Sequence, residues 1–264
     1  MFKADLRPAH LAIGSRRIHY GWVIVVIAST IGSITSAVRF AATALVPHLR
    51  DSASGLGWSY GAITLGFSLQ WFVLGIVSPY VGWLGDRYGA RRLLLFGTFL
   101  FIAGMLLTGI MTSLWQFYLF FGVMLGVSTT VFSILLVTGV TLWFRRRLGV
   151  AMGAMGSVQG IGTIAFLFLI AVAFDVLGMK WIFWIPGIAG GAIVLLLIKF
   201  FYNEPGDIGL RPLGAPEGAP VHRPENDEMA QIRAKVFLRQ AQRTSTFWNL
   251  IGIHFWGCMG HNII

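Results

Sequence analysis

The chain has 264 residues, 56 % hydrophobic and 11 % charged, with twenty basic residues against ten acidic ones. Soluble domains carry about a quarter charged residues and disorder requires low hydrophobicity with high charge, so neither class fits. One cysteine, Cys258, excludes a disulfide scaffold and a Cys-rich zinc site, and the class that remains is an integral membrane protein.

Residues 1–19 are read as a cytoplasmic N-terminus. They carry Lys3, Arg7, Arg16 and Arg17 and no apolar run, so they are no cleavable signal peptide by themselves. With the apolar helix that follows they read as an uncleaved signal anchor. From Tyr20 the charges come in clumps, and the gaps between clumps have the length of a bilayer. A helix needs about 20 apolar residues to cross roughly 30 Å of hydrocarbon. Six spans are predicted, over 20–46, 58–84, 93–111, 114–143, 149–174 and 181–202. The charge-free run Leu93–Phe144 is 52 residues long, too long for one crossing, and Met111–Thr112–Ser113 is the expected turn within it. Barrel strands are about ten residues long and alternate in polarity, and no such window occurs, so the fold class is all-α: a six-helix membrane bundle of residues 20–202. Gly149, Gly153, Gly156 and Gly160 recur on one face of the fifth span, a spacing that permits close helix contact in lipid.

Asn203–Arg243 is the one long polar segment. Its first part is rich in Pro and Gly. Its second, Glu225–Arg243, begins acidic and ends basic as a helix macrodipole favours, with Met229, Ile232 and Val236 at helical spacing. The expectation is a cytoplasmic linker, 203–245, with a short amphipathic helix. A seventh apolar stretch, 246–264, reads as a truncated transmembrane helix, so the chain is expected to be the first part of a longer protein.

Basic residues mark the cytoplasmic side. Seventeen lie at the N-terminus, between spans two and three, between spans four and five, and after span six; only Arg50 and Lys180 lie on the opposite side. The N-terminus is therefore expected in the cytoplasm, in a multi-pass protein of the cell membrane. Topology accounts for the high net charge, and no nucleic-acid partner is needed.

The remaining basic residue is Arg39, inside the first predicted span; Lys199, at the cytoplasmic end of the sixth, is counted with the segment that follows it. A charge at the bilayer centre costs about 2.5 kcal/mol or more, and arginine cannot escape by deprotonating. Arg39 either snorkels to the outer interface or faces a cavity and pairs with a carboxylate solute. Gln70 and Gln159, near the middle of spans two and five, either bond a polar solute or bond neighbouring helices. Ser128, Thr129, Thr130 and Ser133 are expected to bond their own helix backbone. Trp71 lines a cavity or meets lipid. His254, Cys258 and His261 share one helix face at a metal-like spacing, but with no fourth ligand polar lining or packing is the reading preferred; no metal and no cofactor is expected.

Between spans two and three the sequence reads Gly82–Trp–Leu–Gly–Asp86–Arg87–Tyr–Gly89–Ala–Arg91–Arg92. It resembles the signature loop of the major facilitator superfamily, and six spans followed by a long cytoplasmic loop resemble the N-terminal half of that fold. The resemblance implies that Asp86 and Arg87 help latch a cytoplasmic gate, with Gly82, Gly89 and Arg91 in the same loop. Arg146–Gly160, Pro205–Pro212 and His19–Tyr–Gly21–Trp22 are similar to the branch of monocarboxylate porters and oxalate–formate antiporters. Related porters carry a basic residue near Arg39. The chain departs from many proton-coupled relatives in having Gly122 where they carry an arginine, no Gly–Pro pair in span five, and no carboxylate in the predicted spans.

These readings lead to a secondary transporter of a small organic anion, monocarboxylate-like, working by alternating access between two halves. Its partners would be the anionic solute, the lipid bilayer and a missing C-terminal six-helix half. No nucleotide-binding loop is present to suggest ATP as the energy source, and no catalytic constellation suggests an enzyme. The alternatives are a facilitator or exporter of a neutral solute or drug with Arg39 structural, and a non-transporting scaffold or sensor.

Overall fold

The computed structural model describes residues 10–13, 16–44, 46–50, 56–177, 179–216, 236, 239–249 and 252–253, with the backbone alone for 10–13, 16–18, 38–44, 47–48, 170–177 and 179. The chain divides into two compact units, Met1–His222 and Arg223–Ile264.

The first unit opens with a small antiparallel hairpin, β1 (His10–Ile13) and β2 (Arg16–His19), in register His10↔His19. Beyond this hairpin the unit is helical, as the all-α expectation has it. Helix α1 (Tyr20–Ala44) follows directly, then the short α2 (Val46–Arg50), α3 (Tyr60–Tyr88) and α4 (Ala90–Thr108). The fourth span is continuous over Leu114–Trp143 and is built from α5 (Leu114–Phe117), a π-helical stretch Tyr118–Met124 and α6 (Leu125–Trp143). Next come α7 (Leu148–Leu177) and a sixth span of α8 (Met179–Ile185), a π turn Pro186–Gly190 and α9 (Gly191–Ile198). Proline lacks the N–H that would continue the ladder, which accounts for the wide turn at Pro186. Among the described residues six helices are long and apolar enough to cross a membrane, so this is a multi-pass membrane protein.

The turn expected at 111–113 is present. Ser113 and Gln116 form a capping box there, and Gln116 Oε1 accepts from the N–H groups of Thr112 (2.8 Å) and Ser113 (3.1 Å). The loop expected around Asp86 is not a loop. Helix α3 runs on to Tyr88 instead of Leu84, α4 starts at Ala90 instead of Leu93, and Gly89 alone makes the corner at φ 86°. Its N–H donates to Gly85 O at 2.9 Å. Charged residues near a helix end extend to the interface at little cost, so the charge-free length understates the helix. The same holds for α7, which runs past Asp175 to Leu177.

Span four is the centre of the bundle, with α6 touching α1, α3 and α4, while α7 lies along α1. Trp143, Phe132, Leu135 and Leu136 of α6 are buried, as are Ile24, Ala28 and Ile31 of α1. Phe72, Phe99, Ile161, Ile164 and Phe168 are exposed. An apolar outer surface is what lipid requires, so hydrophobicity does not separate inside from outside here.

Small residues decide where helices meet. A Cβ on Gly32 of α1 would lie 2.8 Å from Gln159 Cδ, and one on Gly162 of α7 would strike Ser33. The four glycines expected to make this contact do not make it. A Cβ at Gly149, Gly153, Gly156 or Gly160 meets nothing within 4 Å, so that face of α7 is open among the described residues and the close approach is made one face over.

The segment after span six was expected to leave the bundle as a linker at Asn203. Its first part instead folds back onto the end that carries Arg145–Arg147. Leu213 N–H donates to Trp143 O (2.9 Å), and Leu213 O accepts from the N–H groups of Arg145 and Arg146, both at 3.0 Å. A 3-10 turn, Pro205–Ile208, precedes this pairing. The expected amphipathic helix and its Met229 and Ile232 lie outside the described residues, although Val236 and residues 239–241 are helical. Residues 245–249 and 252–253 are helical where the seventh stretch was expected, and His254, Cys258 and His261 lie outside the described residues.

Candidate substrate cavity

One group of polar side chains lies where α1, α6 and α7 meet. A cavity of ≈ 210 Å³ is lined by Gly32, Thr35 and Ser36 of α1, Thr129, Phe132, Ser133, Leu136 and Val137 of α6, and Met155 and Gln159 of α7. An apolar cavity of about 150 Å³ holds a benzene, so the space suits a solute of a few heavy atoms.

Most hydroxyls in these helices are already spent. Thr35 donates to Ile31 O at 3.0 Å, Ser29 to Val25 O at 2.7 Å, and Thr130 to Gly126 O at 2.7 Å. Such bonds satisfy the hydroxyl within its own helix. Ser128 departs from that expectation, since it donates across to Gly97 O of α4 at 2.8 Å. Ser36 and Ser133 differ again. Ser36 Oγ accepts from Gln159 Nε2 at 3.0 Å, which leaves its own hydrogen uncommitted among the described residues. Ser133 is exposed in the cavity wall and has no hydrogen bond among the described residues. The wall thus offers two hydroxyl donors and the Gln159 Oε1 acceptor to an occupant.

The two glutamines predicted together are separated by the fold. Gln159 lines the cavity. Gln70 is only 2 % exposed, and its Nε2 donates to Phe121 O at 3.5 Å. Phe121 lies in the π-helical stretch, where the widened turn loosens the ladder and opens a carbonyl to a second donor. Gln70 is therefore a bond between α3 and span four, not a cavity group. Trp71 is half exposed and is not among the cavity residues. Arg39 falls in α1 one turn beyond Thr35 and Ser36, at the spacings i+4 and i+3 that share a helix face; its side chain lies outside the described residues. The cavity residues themselves carry no charge.

The predicted gating residues form one corner. Asp86 and Arg87 occupy the last turn of α3, and Arg91 the first turn of α4. The Arg87 guanidinium lies 5.4 Å from the Trp83 ring and 5.6 Å from the Tyr88 ring, within cation–π range. Asp86 is exposed and makes no ion pair among the described residues. Gly82 faces open space, whereas a Cβ on Gly85 would lie 2.7 Å from Leu135. The packing glycine of this motif is thus Gly85, which sequence reasoning missed. Ser36 was missed too, because a serine inside an apolar helix gives no sign of its bonding state.

The profile of the Major Facilitator Superfamily matches residues 21–263. The chain belongs to that superfamily. Its relatives are transporters, not enzymes. An oxalate:formate antiporter of Oxalobacter formigenes is 28 % identical over 193 residues, covering 72 % of this chain and 44 % of that protein. A fujikurins efflux protein of Gibberella fujikuroi is 30 % identical over 114 residues, 43 % of this chain and 24 % of its own length. An uncharacterized transporter of the same superfamily, YhjX of Escherichia coli (strain K12), is 29 % identical over 158 residues, 60 % of this chain and 36 % of its own. The chain spans less than half the length of these curated relatives.

Proposed function

We propose that this chain supplies one six-helix wall of a secondary transporter that moves a small organic anion by alternating access. The observation that carries this reading is the cavity between α1, α6 and α7, with the uncommitted hydroxyls of Ser36 and Ser133 and the Gln159 amide, and with Arg39 one turn along the same helix. Hydroxyl and amide groups orient a solute, and a guanidinium gives a carboxylate two parallel hydrogen bonds in a medium of low dielectric. The similarity to an oxalate:formate antiporter supports a carboxylate as the solute. A second six-helix bundle would form the opposite wall. The end bearing Arg87, Arg91, Arg92 and Arg145–Arg147 faces the cytoplasm of the cell membrane in this reading. Asp86 and Arg87, without an ion-pair partner among the described residues, then reach for one across the gate.

The test is counterflow of labelled small mono- and dicarboxylates into proteoliposomes carrying the protein with and without Arg39→Gln. Loss of at least tenfold in carboxylate exchange is expected. Carboxylate exchange unchanged by the substitution removes the anion site. In that case the neutral lining of the cavity favours an uncharged solute, and the similarity to a fujikurins efflux protein favours export.

A further inference from the structure

The segment that folds back after span six is held by a histidine whose bonding pattern fixes its protonation state. His19 ends β2, immediately before α1. Its Nδ1 accepts the Gly21 N–H at 3.1 Å, and its Nε2 stands 3.1 Å from Arg211 O, 192 residues away in sequence. A nitrogen that accepts an N–H carries no proton. A carbonyl oxygen is only an acceptor, so the nitrogen facing it must donate. The two contacts together select the neutral imidazole with its hydrogen on Nε2. A proton added at Nδ1 would set one N–H against another and remove the acceptor from the first turn of α1.

The surroundings make this histidine a closing pin. Its ring meets Trp143 edge-on at 6.1 Å, and Tyr20 meets both Trp143 (5.4 Å) and Tyr202 (5.8 Å). Tyr20 Oη donates to Phe200 O at 2.8 Å, and Trp143 Nε1 donates to Tyr202 O at 3.0 Å. The start of α1, the end of α6 and residues 199–214 are thereby joined at one point. Leu210, 8 % exposed, is the apolar foot of the segment.

We propose that residues 199–214 are a strap docked on the basic end of the bundle by neutral His19, and that acidification of that face releases it. The docked strap binds one proton fewer than the released one. Docking is therefore complete above the ordinary histidine pKa of about 6.5 and weakens as pH falls below it. The charged and titratable groups on the packed elements are His10 on β1, Arg16 and Arg17 on β2, Tyr20 on α1, Arg145, Arg146 and Arg147 after α6, and Lys199, Tyr202, Glu204, Asp207 and Arg211 on the strap. The arginines and Lys199 oppose a positive imidazole and the two carboxylates favour it.

The experiment is hydrogen–deuterium exchange on the intact protein in nanodiscs at pH 7.5, 6.5 and 5.5, corrected for intrinsic exchange rates. The reporters are the Leu213, Arg145 and Arg146 amides. Their protection is expected to fall by up to tenfold per pH unit below about 6.5, one proton per strap, while amides within α4 keep theirs. His19→Ala is expected to give low protection at every pH. A flat wild-type profile overturns the proposal, with no variant needed. A His19→Ala protein that keeps the wild-type slope overturns it as well.

Discussion

Gly32→Ala is the sharpest probe of the cavity, because it separates an effect on the solute from an effect on the fold. The added Cβ would lie 2.8 Å from Gln159 Cδ and 3.0 Å from both Nε2 and Oε1. Non-bonded carbon atoms settle at about 3.5–4.0 Å, so the Gln159 side chain must swing aside. It then loses its 3.0 Å bond to Ser36 Oγ, at a cost of about 0.5–1.5 kcal/mol. Alanine returns up to about 1 kcal/mol over glycine within a helix. The net effect on stability is close to zero, and since about 1 kcal/mol moves the Tm of a chain of this size by roughly 2–4 °C, a shift of a few degrees is expected. In the proposed site, misplacing Gln159 removes one hydrogen bond to the solute, about 1 kcal/mol, which is roughly a fivefold loss of affinity. The assay pairs solute affinity in proteoliposomes with Tm of the purified protein. Gly153→Ala, on the open face of α7 with nothing within 4 Å of the new methyl, is the control and should leave affinity unchanged. A Tm fall of more than about 10 °C for Gly32→Ala, or equal losses of affinity in the two variants, would refute the reasoning.

Two further substitutions test the packing. Gly66→Ala drives a methyl into the Phe117 ring, which is buried and stacked on Phe121 at 5.1 Å; a stability loss of about 1–3 kcal/mol is expected, read as a lower Tm in detergent, and an unchanged Tm would contradict it. Gln70→Leu removes a long 3.5 Å bond to Phe121 O without opening a cavity; stability should change by no more than about 1 kcal/mol, and solute affinity should match the parent, whereas a large loss of affinity would return Gln70 to the cavity.

Much of the fold was legible because a bilayer imposes a length. Backbone groups have no water to bond in hydrocarbon, so each crossing must be a helix of about 20 apolar residues. The clumping of Arg87–Arg92 and Arg145–Arg147 then marks where crossings end. The turn at Ser113 was also legible, since Gln116 stands three residues on and completes the capping box. The signature sequence identified the family, and the profile match over residues 21–263 agrees with it. The corner at Gly89 was misread as a longer loop because charge was used as the helix boundary, while helical hydrogen bonding continues through Asp86 and Arg87.

The sequence by itself thus determined the number of crossings, the basic end and the family, because those depend on composition along the chain and on local motifs. Only the tertiary structure decided which polar residues line the cavity. Helices apolar all round carry no periodicity that distinguishes a neighbour from lipid. Gln70 and Gln159 look alike in sequence and differ only in what α3 and α7 pack against. The same holds for the glycines of α7 and for His19, whose partner Arg211 is 192 residues away and is brought to it by the fold alone.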